Sequence, residues 1–284
     1  MGAQSSSAPG PPQKRFAAYL DGLALAARHA DGITPLKNYC TGLRLAGERK
    51  SVEPMAARLA PDKVRRMHQC LHHGVADAPW SDEAVLDRAL DYVLPAMLER
   101  GPVVAWIVDD TGFPQQGQHS VGGTRQDCGQ LGKPANCRVA VSLSVATQTS
   151  SMPVACGLYL PAVWAHEAPR RQDADVPAEV EFQTKPQIAL AQVRRARERG
   201  IPEGVRLADA AYGTDTDFRH PLTEMGLAYM AGIMSTVTVW KPGQPPKRAR
   251  RWKGTGRPPR LLRRESVRPT ETTRERNRIP KNGC

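Results

Sequence analysis

The stretch Val103-Val104-Ala105-Trp106-Ile107-Val108-Asp109-Asp110 decides how this chain is read. Its apolar run follows Gly101-Pro102 and stops at two carboxylates, so it predicts a buried strand rather than a half-solvated one. Far downstream, Val205-Arg206-Leu207-Ala208 does the same and stops at Asp209. Two buried strands that each end in an acid are the frame on which the remaining elements can be placed.

Working outward, residues 13–100 read as helical. Phe16, Tyr19, Leu20, Leu23 and Ala27 recur at helical spacing, as do Val64, Met67, Leu71 and Val75 after Pro61-Asp62. Ser81 is an N-cap for a helix carrying Val85, Leu86, Leu90, Val93 and Leu94. After the first acidic strand comes a Gly-rich loop from Thr111 to Asn136. Strands follow at Arg138–Ala146 and Pro153–Leu160, joined by a turn at Gln148–Ser151. Pro161 to Lys185 reads as a polar connection. Pro186 opens a helix that Gly200 ends. Past Asp209, a short helix runs from about Asp215 to Met225, Gly226 caps it, and Leu227–Ile233 is a last strand. The order β-β-β-α-β-α-β implies an α/β fold, a mixed sheet flanked by helices in the RNase H-like order, over residues 101–240.

Charge is unevenly spread. The net charge is +12, yet Met1 to Trp240 holds 25 Lys+Arg and 25 Asp+Glu. Residues 241–284 hold 15 Lys+Arg against 3 Glu, so the whole excess lies in that tail. A basic, Pro- and Gly-rich segment without periodicity is expected to be disordered; it either stays solvated or attracts DNA or RNA. Lys247, Arg248, Arg250 and Arg251 are its candidate DNA contacts. The first 12 residues are rich in Ser, Pro and Gly, without a basic start and apolar stretch, and read as a flexible lead-in rather than a secretory signal. No apolar run approaches the ~20 residues that cross a bilayer, so no membrane partner is expected. The six cysteines form no C-x-x-C pair; reduced thiols in the cytoplasm are expected, with Cys128 and Cys137 packed.

The carboxylates carry the chemistry. In an RNase H-like sheet the first and fourth strands are parallel neighbours, so their ends bring Asp209 to Asp109-Asp110. Close carboxylates repel unless a cation lies between them. Mg²⁺, a hard ion that prefers oxygen, suits such a site, and a pair of ions can activate an attacking oxygen and stabilise a leaving one. An aspartate at a strand end also caps turns and helices. Strand alternation admits either Asp109 or Asp110 as the ligand.

Several motifs make a family visible. Val108-Asp109-Asp110-Thr111-Gly112-Phe113-Pro114, Gly117-x-His119-Ser120-Val121-Gly122, Cys128-Gly129-Gln130-Leu131-Gly132-Lys133 and Leu207-Ala208-Asp209-Ala210-x-Tyr212-Gly213 resemble bacterial insertion-sequence transposases of the DDE superfamily. Ala76-Asp77-Ala78-Pro79-Trp80 and Thr184-Lys185-Pro186 add to the likeness, which runs from about Leu36 to Trp240. The resemblance implies an RNase H-like core in which Asp110 and Asp209, with Asp109 as an alternative, hold two Mg²⁺ or Mn²⁺ ions together with a glutamate. It implies cleavage of the element's ends and strand transfer into target DNA. DNA is then the partner, as terminal inverted repeats and as target; a homodimer is a further expectation, as is a location at the bacterial nucleoid. Arg125, Lys133 and Lys185 become candidate phosphate contacts, and the N-terminal helices candidate binders of the repeats.

The glutamate is where the likeness breaks. In the family it lies on a helix after the fifth strand, in a Tyr-x-x-Arg-x-x-x-Glu setting. After Trp240 the glutamates are Glu265, Glu271 and Glu275, none in that setting, and from about Ser266 the tail no longer resembles the family. The expectation is a truncated transposase of little or no activity, whose lost helix leaves one sheet face open. The alternative is a DNA-binding remnant that inhibits transposition; an RNase H-like nuclease unrelated to transposition is a third, against which the long helical region speaks. His68, Cys70, His72 and His73 cluster on one helix. His68 and His72 are spaced to share a metal, but no further ligand pair is obvious and a solvated helix face is expected. Trp80 reads as a core or staple residue, with insertion into DNA as the lesser alternative.

Overall fold

β1 (Ala105–Pro114) sits at the centre of the sheet and explains its order. The apolar residues Trp106 and Val108 alternate onto one face, and both are buried. On one edge β1 pairs antiparallel with β3 (Lys133–Ala146), which pairs antiparallel in turn with β4 (Ser151–Tyr159). On the other edge it pairs parallel with β5 (Val205–Ala208), and β5 with β6 (Tyr229–Ala231). The path β4-β3-β1-β5-β6, with β2 (Thr124–Cys128) added at β3, is the RNase H-like order expected from sequence. The structure, a computed structural model, describes residues 11–27, 29–117, 119–237 and 251–256.

The helical layer packs on one face. α5 (Asp82–Leu98), α8 (Lys185–Glu198), α9 (Ala210–Gly213) and α10 (Thr216–Glu224) enclose a core with Trp106, Val108, Val141, Leu143 and Val145. Ser81 caps α5, its hydroxyl accepting from the Ala84 amide at 3.2 Å. Thr184 and Gln187 form a reciprocal capping box that fixes the start of α8 at Lys185. α5 is tied to α8 by charge as well as by packing: Arg195 and Arg199 both bind Asp87, and they reach Glu83 and Asp91 respectively. α1 (Pro12–Ala24) bridges α5 to a separate small bundle of α2 (Ala30–Arg44), α3 (Val52–Leu59) and α4 (Val64–Ala76), whose core is Met55, Ala56 and Leu71.

The opposite sheet face is less covered. Phe113 is 46% exposed and Met230 71% among the described residues. Their positions follow from register, since Ile107, Leu207 and Met230 are neighbours across β1, β5 and β6. No helix among the described residues is long and apolar enough to cross a membrane.

Four expectations are corrected. β1 does not end at the aspartates. It continues to Pro114 because Thr111–Pro114 pair with Cys137–Ala140, so cross-strand pairing overrides the local preferences of Gly112 and Pro114. The Gly-rich loop contains β2, hydrogen-bonded to the start of β3 from Thr124 to Cys128. Gly112 permits this fold-back: a Cβ there would lie 3.1 Å from Cys128 Sγ and 3.2 Å from its Cα. The connection after β4 contains α6 (Ala162–His166) and α7 (Ala168–Asp173), anchored by the buried Trp164, whose indole donates to the Gly123 carbonyl at 2.8 Å. Trp80 is 41% exposed, so it is not a core residue.

Candidate active site

Strand parity separates the two adjacent acids. Asp110 lies opposite Val141, and Val141 opposite Gly157, whose Cα faces Ile188 and Gln192 of α8. Asp110 therefore points to the helical face, one step beyond Val108. Asp109 lies opposite Ser142 on the other face, exposed, with its carboxylate accepting from the Asp110 amide at 2.8 Å.

Asp110 is held at both oxygens. Lys185, the first residue of α8, donates from Nζ to Oδ2 at 2.8 Å. The Tyr212 hydroxyl donates to Oδ1 in a short contact. Asp209 follows β5 and N-caps α9, with Oδ1 accepting from the Ala211 amide at 2.9 Å and the Tyr212 amide at 3.4 Å. So Tyr212 touches one acid with its backbone and the other with its side chain. Its hydroxyl is pushed far above the usual tyrosine range, first by burial, then by the hydrogen bond and charge of Asp110, with the charges of Asp209 and Asp109 adding to it. Three carboxylates thus act on one buried hydroxyl.

The local sequence explains this geometry. α9 is four residues long and needs Gly213 at its end: a Cβ there would lie 1.9 Å from the Gly232 carbonyl oxygen beside β6. The Tyr212 ring packs on Phe218, with centroids 5.3 Å apart, so the hydroxyl is aimed by the core. Sequence inspection singled out Asp110, Asp209 and Lys185 but gave Tyr212 no role. Its place three residues after the capping Asp209 was the available signal.

The donor set is oxygen only, which fits a hard divalent cation better than a thiophilic one. Among the described residues, no third Asp, Glu, His or Cys joins to make a three-ligand cluster. His68 and His72 stack with centroids 6.2 Å apart and likewise have no third ligand. Glu265, Glu271 and Glu275, and the tail cations Lys247, Arg248 and Arg250, lie outside the described residues; Arg251 is described and exposed. Lys133 and Arg125 are exposed and away from Asp110 in the strand register. Arg125 and Asn136 line an open cavity of about 500 Å³ with Gly123 and Arg170.

Two comparisons bear on this arrangement. Residues 18–281 match the family model described as DDE superfamily endonuclease. The chain belongs to that family. The match extends on both sides of the motif-bearing stretch and past Ser266, where the motifs alone had placed the end of the likeness. The chain is also similar to a "Probable transposase for insertion sequence element IS701" from Microchaete diplosiphon, 30% identical over 172 residues, 60% of this chain and 42% of that protein. The match therefore spans less than half of the relative's length. Members of this superfamily generally use divalent metal ions.

Proposed function

We propose that this DDE superfamily chain carries the strand-cleaving and strand-joining site of an insertion-sequence transposase, with Asp110 and Asp209 as two of its metal-binding carboxylates. The observation that carries the proposal is the convergence of both acids on Tyr212 from adjacent parallel strands. Asp110 and Asp209 would hold Mg²⁺ or Mn²⁺, two ions in a complete site. When bound, these supply Lewis-acid activation of the attacking oxygen and stabilisation of the leaving one. In the first step water adds to phosphorus, the bond to the strand's 3′-oxygen breaks, and that oxygen leaves as a hydroxyl. In the second, this 3′-hydroxyl adds to phosphorus of target DNA and displaces the target's own 3′-oxygen.

The chain's own residues prepare that site. Tyr212 fixes the rotation of Asp110, and the α9 cap fixes Asp209. Lys185 pairs with Asp110 and is placed beside the site where a phosphate would lie. The partners proposed are terminal inverted repeats, held by the N-terminal helices, and target DNA. A homodimer in the bacterial cytoplasm, at the nucleoid, fits this role.

A second reading rests on the missing third ligand among the described residues. In it the chain is weakly active or inactive and occupies element ends without cutting, as an inhibitor. One assay separates the two. A labelled duplex carrying the element's ends is incubated with Mg²⁺ or Mn²⁺ and the wild type, Asp110→Ala or Asp209→Ala. Strand cleavage by the wild type alone supports the catalytic reading. Specific retention of the ends without cleavage supports the second. Cleavage that survives both substitutions refutes the site.

A further inference from the structure

We infer that Gln192 is a positioning residue for the active site: its buried amide fixes where α8 lies against the sheet, and so holds Lys185 on Asp110. This rests on the proposed transposase reading and adds to that site a residue that touches neither carboxylate.

Asp110 on β1, Val141 on β3 and Gly157 on β4 form one row across the sheet, on the face that α8 covers. Gln192 Nε2 donates to the Val141 carbonyl at 2.9 Å, one strand away from Asp110. Seven residues earlier, on the same side of the helix and roughly 10 Å along its axis, Lys185 Nζ donates to Asp110 at 2.8 Å. Among the described residues these are the two hydrogen bonds between α8 and the sheet. Otherwise α8 joins the core through apolar side chains, Ile188, Ala189, Leu190, Val193 and Ala196. Apolar burial is non-directional and sets the spacing of the layers; a hydrogen bond to a fixed carbonyl also sets register. Gly157 lets the amide in. A Cβ there would lie 3.3 Å from Gln192 Nε2 and 3.1 Å from Ile188 Cγ2.

The bond carries a penalty. Gln192 is 8% exposed, and its Oε1 is buried without a hydrogen-bond partner. A buried amide left half-satisfied is less stable than an apolar side chain of the same length, so stability alone does not account for glutamine here. What the amide supplies and an apolar side chain lacks is direction. Its acceptor belongs to a strand whose place is set by pairing on both sides, with Asp110 and with Gly157. The Thr184–Gln187 capping box sets the start of the helix independently. Lys185 is therefore the first residue of a rod pinned two turns further on, at the level of the carboxylate it must meet.

The test follows acetylation of the Lys185 amine in the full chain by dilute acetic anhydride, read by peptide mass. The reaction needs the nitrogen lone pair, which the Asp110 contact withholds, and Asp110→Asn sets the rate of a released amine. After melting curves show that each variant is folded, Gln192→Met should raise the Lys185 rate about fivefold, the factor of one typical hydrogen bond, while Lys37 on α2 reacts as in the wild type. Gly157→Ala crowds the same amide from the strand side and should do likewise. Val193→Ala empties a buried site one residue along α8 without touching the amide, so stability falls and Lys185 stays slow. In strand cleavage, the losses from Gln192→Met and Lys185→Ala should not add. The inference is overturned if Gln192→Met leaves the Lys185 rate unchanged, if Val193→Ala raises it as much, or if the cleavage losses add. The acetylation rates need neither DNA nor metal, so failure of the transposase reading appears separately, as cleavage that survives Asp110→Ala and Asp209→Ala.

Discussion

Replacing Tyr212 by Phe isolates the hydroxyl that holds Asp110. Tyr212 is 2% exposed and packs on Phe218, so phenylalanine keeps the ring contacts and removes one donor. A hydrogen bond to a charged acceptor contributes about 1.5–3 kcal/mol. Asp110 is 24% exposed at its side chain and keeps Lys185 at 2.8 Å, so water and lysine replace part of what is lost. The expected cost near neutral pH is at the low end, about 1–1.5 kcal/mol, or roughly 2–6 °C in Tm for a folded region of this size. The pH dependence has a definite sign. In the folded chain the Tyr212 hydroxyl ionises far above its ordinary value of 10.0, whereas in the unfolded chain it ionises near that value. Its contribution is therefore complete below pH 10 and is lost as pH rises above it, at about 1.4 kcal/mol per pH unit. Wild type begins more stable than Tyr212→Phe, and the two curves should cross near about pH 11. Urea unfolding of both proteins across that range reads the crossing directly. Parallel curves through pH 11 would refute the placement of this hydroxyl among the carboxylates.

Other outcomes follow from the same structure. Asp87→Ala removes the carboxylate that Arg195 and Arg199 share, leaving them Glu83 and Asp91, and should lower stability by about 1 kcal/mol, discounted for a side chain one-third exposed; a lowered urea midpoint, with less salt sensitivity than wild type, checks it. Gly213→Ala forces a methyl onto the Gly232 carbonyl and should cost about 1–3 kcal/mol or more, with cleavage lost even though both aspartates remain. Trp164→Ala empties a site 1% exposed and should cost about 3–5 kcal/mol in chemical denaturation, while Trp164→Phe costs far less. Iodoacetamide should label the exposed Cys156 well before the buried Cys128 and Cys137, as read by peptide mass.

Much of the fold was legible because buried strands announce themselves. The runs before Asp110 and Asp209 gave β1 and β5, and their parallel pairing followed from strand order. Ser81 and Gly226 marked helix ends that local chemistry enforces. What escaped depended on partners distant in sequence. β2 is polar and short and exists because β3 is there to pair with it. α6 and α7 hang on a single buried tryptophan, whose indole finds its acceptor at Gly123. At the site, Asp110 and Asp209 could be named from sequence, but alternation alone left Asp109 open. Register against Val141 and Gly157 decides which side each acid faces. Tyr212 and its grip on both acids emerge only when the turn after β5 folds back on β1.

The most direct measurement is Mn²⁺ binding to the folded full chain, by calorimetry or by loss of the free-ion paramagnetic resonance signal, across Asp109→Asn, Asp110→Asn and Asp209→Asn. Binding is expected in the wild type, retained in Asp109→Asn and lost by about tenfold or more in each of the other two. Binding lost in Asp109→Asn but kept in Asp110→Asn would contradict it, because the cation would then lie on the opposite face of the sheet.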